Sequence, residues 1–277
     1  MNRASLFQFN TLQNKLKGEL YFDDSTLHTT HKKIYATDAS VYQEMPLAVA
    51  LPSDVEDIQH LIRFASEHKT TLIPRAAGTS LAGQVVGNGI VVDISKNFGG
   101  IIELNVAEKW VRVQPGVIRD DLNKFLAPHG LLFGPETSTA SRAMIGGMIG
   151  NNSCGLHSIS WGTTRDHLLE VKALLSDGSE VVFDQKSTAA YTHKMASIAK
   201  ENKREQAIYA GMWGMMSNPI DQALIKEKFA KPTVTRRNSG YALDALAEHF
   251  NQDAINLCNL IAGSEGTLCF VTEAKIG

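Results

Sequence analysis

The chain has 277 residues, 43% of them hydrophobic and 20% charged, with 22 glycines and 8 prolines, a balance that excludes a disordered or fibrous protein and fits one large domain or two small ones. Lysine and arginine number 27 against 29 acidic residues, so the net field gives no reason to expect nucleic acid or an anionic membrane surface as a partner. Cys154, Cys258 and Cys269 form no CxxC pair, which points to a reducing, cytoplasmic setting, and no stretch approaches the roughly 20 apolar residues of a membrane span or the apolar core of a signal peptide.

Leu6, Phe9, Leu12 and Leu16 recur at helical spacing, so residues 1–44 read as a helical extension followed by a polar, solvated loop carrying His28 and His31. Ala48–Ala50 reads as a strand, and Ser53-x-x-Glu56 reads as a capping box opening a helix whose apolar face is Val55, Ile58, Leu61, Ile62 and Ala65. Thr71–Pro74 is a second strand, Gly89–Ile94 a third and Trp110–Val113 a fourth, with an amphipathic helix over Asp121–Leu126. Leu169–Leu175 and Glu180–Phe183 flank Ser176-Asp177-Gly178-Ser179, a strong hairpin signal because Asp-Gly tolerates the positive φ of a tight turn. Ala189–Ile220 has helical spacing, with Met212, Met215 and Met216 read as core rather than as a soft binding surface. The strand-like end, Thr267–Gly277, has no turn or cap after it, so the natural protein is expected to continue.

Three glycine clusters carry the chemistry. Pro74-Arg75-Ala76-Ala77-Gly78-Thr79-Ser80-Leu81-Ala82-Gly83 follows a strand, and its small side chains let consecutive amides approach an anion such as a pyrophosphate. It has neither the Gly-Lys-Ser/Thr of a Walker loop nor the spacing of G-x-G-x-x-G. Ile145-Gly146-Gly147-Met148-Ile149-Gly150-Asn151-Asn152-Ser153-Cys154-Gly155, preceded by Gly134-Pro135-Glu136-Thr137-Ser138, allows close packing against a flat ring and offers polar groups to its edge. Gly263-Ser264-Glu265-Gly266-Thr267-Leu268 leads into the last strand, with a carboxylate suited to a ribose hydroxyl. Each cluster alone is equally compatible with an ordinary small-residue connection.

Together and in this order, the three clusters resemble the FAD-binding fold of the vanillyl-alcohol oxidase and p-cresol methylhydroxylase superfamily, over roughly residues 36–277. The branch of D-lactate, glycolate and D-2-hydroxyglutarate dehydrogenases is the most similar, its first loop reading P-R-G-G-G-T-S-L-x-G where this chain has Ala76 and Ala77. The methyl groups are tolerable if φ is negative at both positions. Trp161–Asp166 and Asn238–Leu243 also resemble segments of that branch.

The resemblance implies an α+β, two-subdomain fold over residues 45–277, with a small parallel part at about 45–100 and a larger, mainly antiparallel part at about 101–277, and a substrate domain outside this chain. It implies that Pro74, Arg75, Ala76, Ala77, Gly78, Thr79, Ser80 and Gly83 wrap the FAD pyrophosphate, with Arg75 either a charge partner or a surface side chain. Glu136, Thr137, Ser138, Met144, Gly146 and Gly147 would line the cofactor. Asn151, Asn152, Ser153 and Cys154 would approach the flavin, and Glu265, Gly266, Thr267, Leu268 and Val271 would close the nucleotide end. No histidine or cysteine lies at positions 75–80, which implies non-covalent FAD. A small buried thiol is the expected state of Cys154, and His157 and His167 are weak candidates for a base, because the branch keeps its acid/base histidines and metal ligands in the missing domain. The implied activity is oxidation of a 2-hydroxy acid by hydride transfer to flavin N5, with a downstream acceptor such as an iron–sulfur module. An oxidase acting on an alcohol or sugar lactone and a non-catalytic flavin-binding module remain as alternatives.

Overall fold

The computed structural model describes residues 5–198, 202–231, 233–234 and 240–277. The strands are β1 (Glu19–Tyr21), β2 (Ala48–Leu51), β3 (Leu72–Arg75), β4 (Ile90–Asp93), β5 (Ile101–Asn105), β6 (Trp110–Val113), β7 (Leu168–Leu174), β8 (Glu180–Lys186), β9 (Ile255–Asn256) and β10 (Phe270–Ile276). The helices are α1 (Leu6–Gln13), α2 (Thr26–Ile34), α3 (Val55–His68), α4 (Arg119–Leu126), α5 (Ile145–Asn151), α6 (Ser158–Trp161), α7 (Thr188–Ser197), α8 (Lys203–Met216), α9 (Pro219–Lys228), α10 (Leu243–Asn251) and α11 (Cys258–Ile261). The fold is α+β, built on two sheets.

The first sheet has the order β1-β2-β4-β3, with β2, β3 and β4 parallel and β1 antiparallel at the edge. Ala48–Leu51 and Ile90–Asp93 are buried along their whole length, as their unbroken apolar runs require of parallel strands covered on both faces. On one face α1 and α3 close a core of Phe9, Leu12, Ile58, Leu61, Ala50 and Val92. The segment expected as a separate extension is therefore part of this sheet and core, since Leu20 pairs with Ala50 and Phe9 stacks on Phe22 at 5.2 Å.

Two local readings change. Asp54, not Ser53, caps α3, its side chain accepting from Asp57 N at 3.0 Å, while Glu56 pairs with Lys17 instead of turning back on Ser53. The buried Asp57 carboxylate takes three backbone N–H groups, from Lys17, Gly18 and Ser53 at 2.8, 2.9 and 2.8 Å, and so fastens the turn before β1 to α3. His28 and His31 lie in helix α2, capped by Ser25, rather than in a loop; His31 stacks on Tyr21 at 3.7 Å, and His28 Nδ1 faces Phe22 N and Asp23 N.

The second sheet is antiparallel, in the order β5-β6-β10-β7-β8-β9. The last strand, β10, is thus central, paired with β6 on one side and β7 on the other. Its alternating burial sends Phe270, Thr272, Ala274 and Ile276 inward. The β7–β8 hairpin turns on Gly178 at φ +83°. Met216 is buried, and Met212 and Met215 pack partly buried against the same core. Leu174 and Phe270 of this sheet also join the core of the first one, which couples the two halves.

Candidate functional site

A cleft of about 970 Å³ opens among the three glycine clusters, near the upper end of the roughly 300–1,000 Å³ typical of small-molecule sites. The first wall is the loop leaving β3. Arg75 is the last residue of that strand, and its guanidinium donates to Thr37 O at 2.7 Å and lies over the Tyr35 ring at 5.1 Å. It acts as a post for the loop rather than a free charge for an anion. Gly78 has φ +64°, and a Cβ there would stand 2.7 Å from Arg75 Nη2, so conformation and space both demand glycine. Ala76 and Ala77 have no positive φ, so their methyl groups are carried without strain.

The second wall is α5. Gly146 presses against Pro115, where a Cβ would stand 2.6 Å from the proline Cβ; Gly147 faces Ala76, and Gly150 faces the Glu265 backbone. The missing side chains let the helix approach the first and third loops. Gly263 N donates to Ile149 O at 2.9 Å and Glu265 N to Gly150 O at 2.8 Å, closing the third loop onto the helix.

Trp161–Asp166 explains how these loops are held. Asn152 ends α5 in the left-handed region at φ +50°, buried, with its Oδ1 accepting from Arg165 N at 2.8 Å. Thr164 Oγ1 donates to Ser153 O at 2.8 Å. The Arg165 guanidinium reaches across to Asn259 O at 3.1 Å and Ala262 O at 2.7 Å. One arginine thus ties the end of the second loop to the start of the third.

Of the residues expected at the cofactor, Pro74, Arg75, Ala76, Ala77, Gly78, Thr79, Ser80, Thr137, Ser138, Met144, Gly146, Gly147, Asn151, Ser153, Glu265, Gly266, Thr267 and Val271 line this cleft. Six do not. Gly83 lies against the Tyr42 ring. The Glu136 carboxylate turns to His157, meeting its Nδ1 at 2.8 Å, and this imidazole holds it below the usual carboxylate range. Asn152 is spent on the helix end, Cys154 is outside the lining with intermediate rather than full burial, and Leu268 is exposed. Asn238 and Ser239 lie outside the described residues, while Tyr241 from the same segment bonds Thr267 Oγ1 at 2.8 Å. His167 places its two ring nitrogens against Gly277 O and Trp161 O, which makes it a structural tie.

Sequence reasoning missed Gln84, Pro115, Thr139, Cys269 and Phe270 in the lining. The strand alternation of β10 could have found Cys269 and Val271 on one side, but nothing local marks Gln84. Among the described residues, the ionisable ones on the cleft wall are Arg75, Glu265 and Cys269. Burial pushes the Cys269 thiol up to about 12, so it is neutral at physiological pH. Glu265 opens toward the cleft mouth, and partial desolvation by the walls raises its carboxyl above the ordinary value, against the lowering effect of hydrogen bonds from Asn151 and Gln84.

A family model described as "FAD binding domain" matches residues 46–184, the stretch that carries the first two loops. The chain belongs to this family. The cofactor of this FAD-binding domain is FAD, and the cleft fits it: apolar walls for flat rings, and a small-residue loop with exposed amides for a diphosphate. The chain is 37% identical over 249 residues to a D-2-hydroxyglutarate dehydrogenase of Haemophilus influenzae, covering 87% of this chain and 23% of that protein. It is 36% identical to the enzyme of the same name from Escherichia coli, over 96% of this chain and 26% of the other. A glycolate oxidase subunit of Bacillus subtilis is 33% identical over 59% of this chain and 35% of its own length. The chain therefore spans about a quarter of the dehydrogenases it resembles. Among solved structures, an alkyldihydroxyacetonephosphate synthase superposes with a TM-score of 0.64 at 16% identity, covering 99% of this chain and 40% of that one. For 6-hydroxy-D-nicotine oxidase from Arthrobacter nicotinovorans the TM-score is 0.57 at 15% identity, over 94% of this chain and 42% of that one. These likenesses show the fold.

Proposed function

We propose that this FAD-binding domain is the flavin-holding part of a dehydrogenase that oxidises a 2-hydroxy acid of the D-2-hydroxyglutarate, D-lactate or glycolate class. The observation that carries the cofactor half of the reading is the cleft itself. Three glycine-bearing segments converge on it, and its wall offers amides and hydroxyls, with the Arg75 guanidinium already committed to Thr37 O. An anionic diphosphate is then held by backbone N–H groups of residues 76–80 and by the hydroxyls of Thr79, Ser80, Thr137 and Ser138. Among the described residues the lining has no histidine, and its one cysteine is a neutral thiol, which supports non-covalent attachment.

The substrate half rests on the named relatives, four of which are D-2-hydroxyglutarate dehydrogenases. Bound flavin supplies the hydride acceptor. This chain's residues orient it and exclude water from its inner edge, while the groups that grip the hydroxy acid come from the remainder of the longer protein. Electrons leave to a downstream acceptor, for which an iron–sulfur module outside this chain is the proposal, since three scattered cysteines cannot supply the four thiolates of a cluster. The odd number of cysteines and the lack of a CxxC pair in the sequence support a cytoplasmic setting.

The test is anaerobic mixing of the full-length protein with D-2-hydroxyglutarate, D-lactate and glycolate in turn. Bleaching of the flavin by one of them, with dye reduction and no peroxide in air, supports the dehydrogenase. Peroxide formation would support an oxidase, and no bleaching by any 2-hydroxy acid would overturn the substrate class.

A further inference from the structure

Residues 77–82, the middle of the first glycine loop, belong to neither a helix nor a strand. A loop that keeps its amides for a ligand cannot use them to hold itself, so its shape has to be set from elsewhere. Among the described residues a single backbone hydrogen bond reaches this stretch, and it comes from outside the loop: Ala39 N donates to Gly78 O at 3.1 Å. A trans peptide sets its C=O and N–H in opposite directions. The bond to Gly78 O therefore also fixes where the Thr79 N–H points.

Ala39 lies in a hairpin-like strap over residues 37–43, ahead of the stretch 46–184 that the family model matches. Thr37 and Gln43 pair antiparallel at its base, where Glu44 N also donates to Ala36 O at 3.0 Å. Its turn is shaped by Ser40 N donating to Asp38 Oδ1 at 2.7 Å and by Tyr42 N donating to Ser40 Oγ at 3.1 Å. The strap meets the first loop at three places. At the start, Thr37 O accepts from the Arg75 guanidinium at 2.7 Å. In the middle stands the bond from Ala39 to Gly78. At the end, the Tyr42 ring lies against Gly83, where a Cβ would stand 2.7 Å from Tyr42 Cδ2. Ala39 itself lines the cleft.

We propose that this strap is a working part of the cofactor site, holding the first glycine loop in its FAD-binding shape before FAD arrives, with Ala39 and Tyr42 as positioning residues. The inference rests on the FAD assignment above. With the strap released, residues 77–82 sample other shapes, and only the fraction in the native one is ready to bind. Freezing the backbone of a single residue corresponds to about a tenfold change in affinity, which sets the scale of the loss. The coupling is reciprocal: if a docked strap tightens FAD binding, bound FAD must hold the strap docked by the same factor. A segment that served the fold alone would show neither effect.

The experiment pairs FAD titration of native, Tyr42→Ala and Tyr42→Phe chains with hydrogen exchange at Ala39 in the native chain, with and without saturating FAD. Tyr42 is outside the cleft lining and meets Gly83 through Cβ, Cγ and Cδ2, atoms that phenylalanine keeps. Tyr42→Ala should bind FAD about tenfold more weakly while its urea midpoint without FAD stays near the native one. Tyr42→Phe should restore native affinity, and FAD should slow exchange of the Ala39 N–H in the native chain. A folded Tyr42→Ala variant with native affinity, a Tyr42→Phe variant as weak as Tyr42→Ala, or an Ala39 exchange rate indifferent to FAD would overturn the proposal. Should Tyr42→Ala fail to fold, the exchange measurement on the native chain decides alone. If the folded native chain takes up no FAD, the cofactor assignment itself fails, and the inference with it.

Discussion

Replacing Arg165 by methionine should loosen the cofactor cleft without touching its wall. The guanidinium is absent from the lining, yet it makes two charge-assisted hydrogen bonds, to Asn259 O at 3.1 Å and Ala262 O at 2.7 Å. Such bonds contribute about 1.5–3 kcal/mol each, and both acceptors belong to buried residues that would be left without this partner. Arg165→Met should therefore cost about 3–5 kcal/mol. Arg165→Lys, which can reach one carbonyl but not fork between two, should recover roughly half of that. Urea denaturation with and without FAD gives both numbers, and FAD titration reads the cleft. A larger relative loss of FAD affinity than of fold is expected, because Gly263 to Thr267 depend on this tie. An Arg165→Met variant within about 1 kcal/mol of the native chain, with native FAD affinity, would refute the reasoning.

Adjacent glycines should respond with opposite signs: Gly146→Ala meets Pro115 at 2.6 Å and should cost about 1–3 kcal/mol. Gly147→Ala stands 3.6 Å from the Ala76 Cβ and should leave stability unchanged or raise it by about 0.5–1 kcal/mol through its better helix propensity. Both are read by thermal unfolding. Asp57→Ala strips the acceptor from three N–H groups and should destabilise the first sheet by about 3 kcal/mol, with proteolysis starting near residues 17–18. Burial raises both the Cys258 and Cys269 thiols, so a thiolate-specific reagent at pH 8 should modify at most one cysteine quickly and the other two only after unfolding. Three fast thiols would contradict it.

Much of this architecture is legible locally. Unbroken apolar runs mark β2 and β4 as doubly covered strands, Asp177-Gly178 marks the β7–β8 turn, and the glycine clusters mark the cleft because glycine there serves close approach. What escapes is set by partners distant in sequence. Glu19–Tyr21 is too short to announce itself and exists as a strand because it pairs with Val49–Leu51. Ile101–Asn105 lies on the sheet edge with no fully buried position and no alternation, so no periodicity flags it. Arg75 sits inside the anion-suited loop, and only the carbonyl of Thr37 and the ring of Tyr35 reveal that its guanidinium is already engaged. Glu136 is likewise drawn from the cofactor by His157, 21 residues on. Asn152 and Cys154 read as part of a continuous polar run, but the end of α5 lies between Asn151 and Ser153 and turns one residue inward.

The most direct test of the account is FAD binding by the native chain beside Gly147→Leu, with the fold of each followed by circular dichroism. Position 147 lies on the cleft wall opposite Ala76, so a leucine there occupies the cofactor's space. The account predicts one FAD per native chain, released on denaturation, and a folded variant that takes up little or none. A folded native chain that ignores FAD, or a Gly147→Leu variant that binds it as the native chain does, would contradict it.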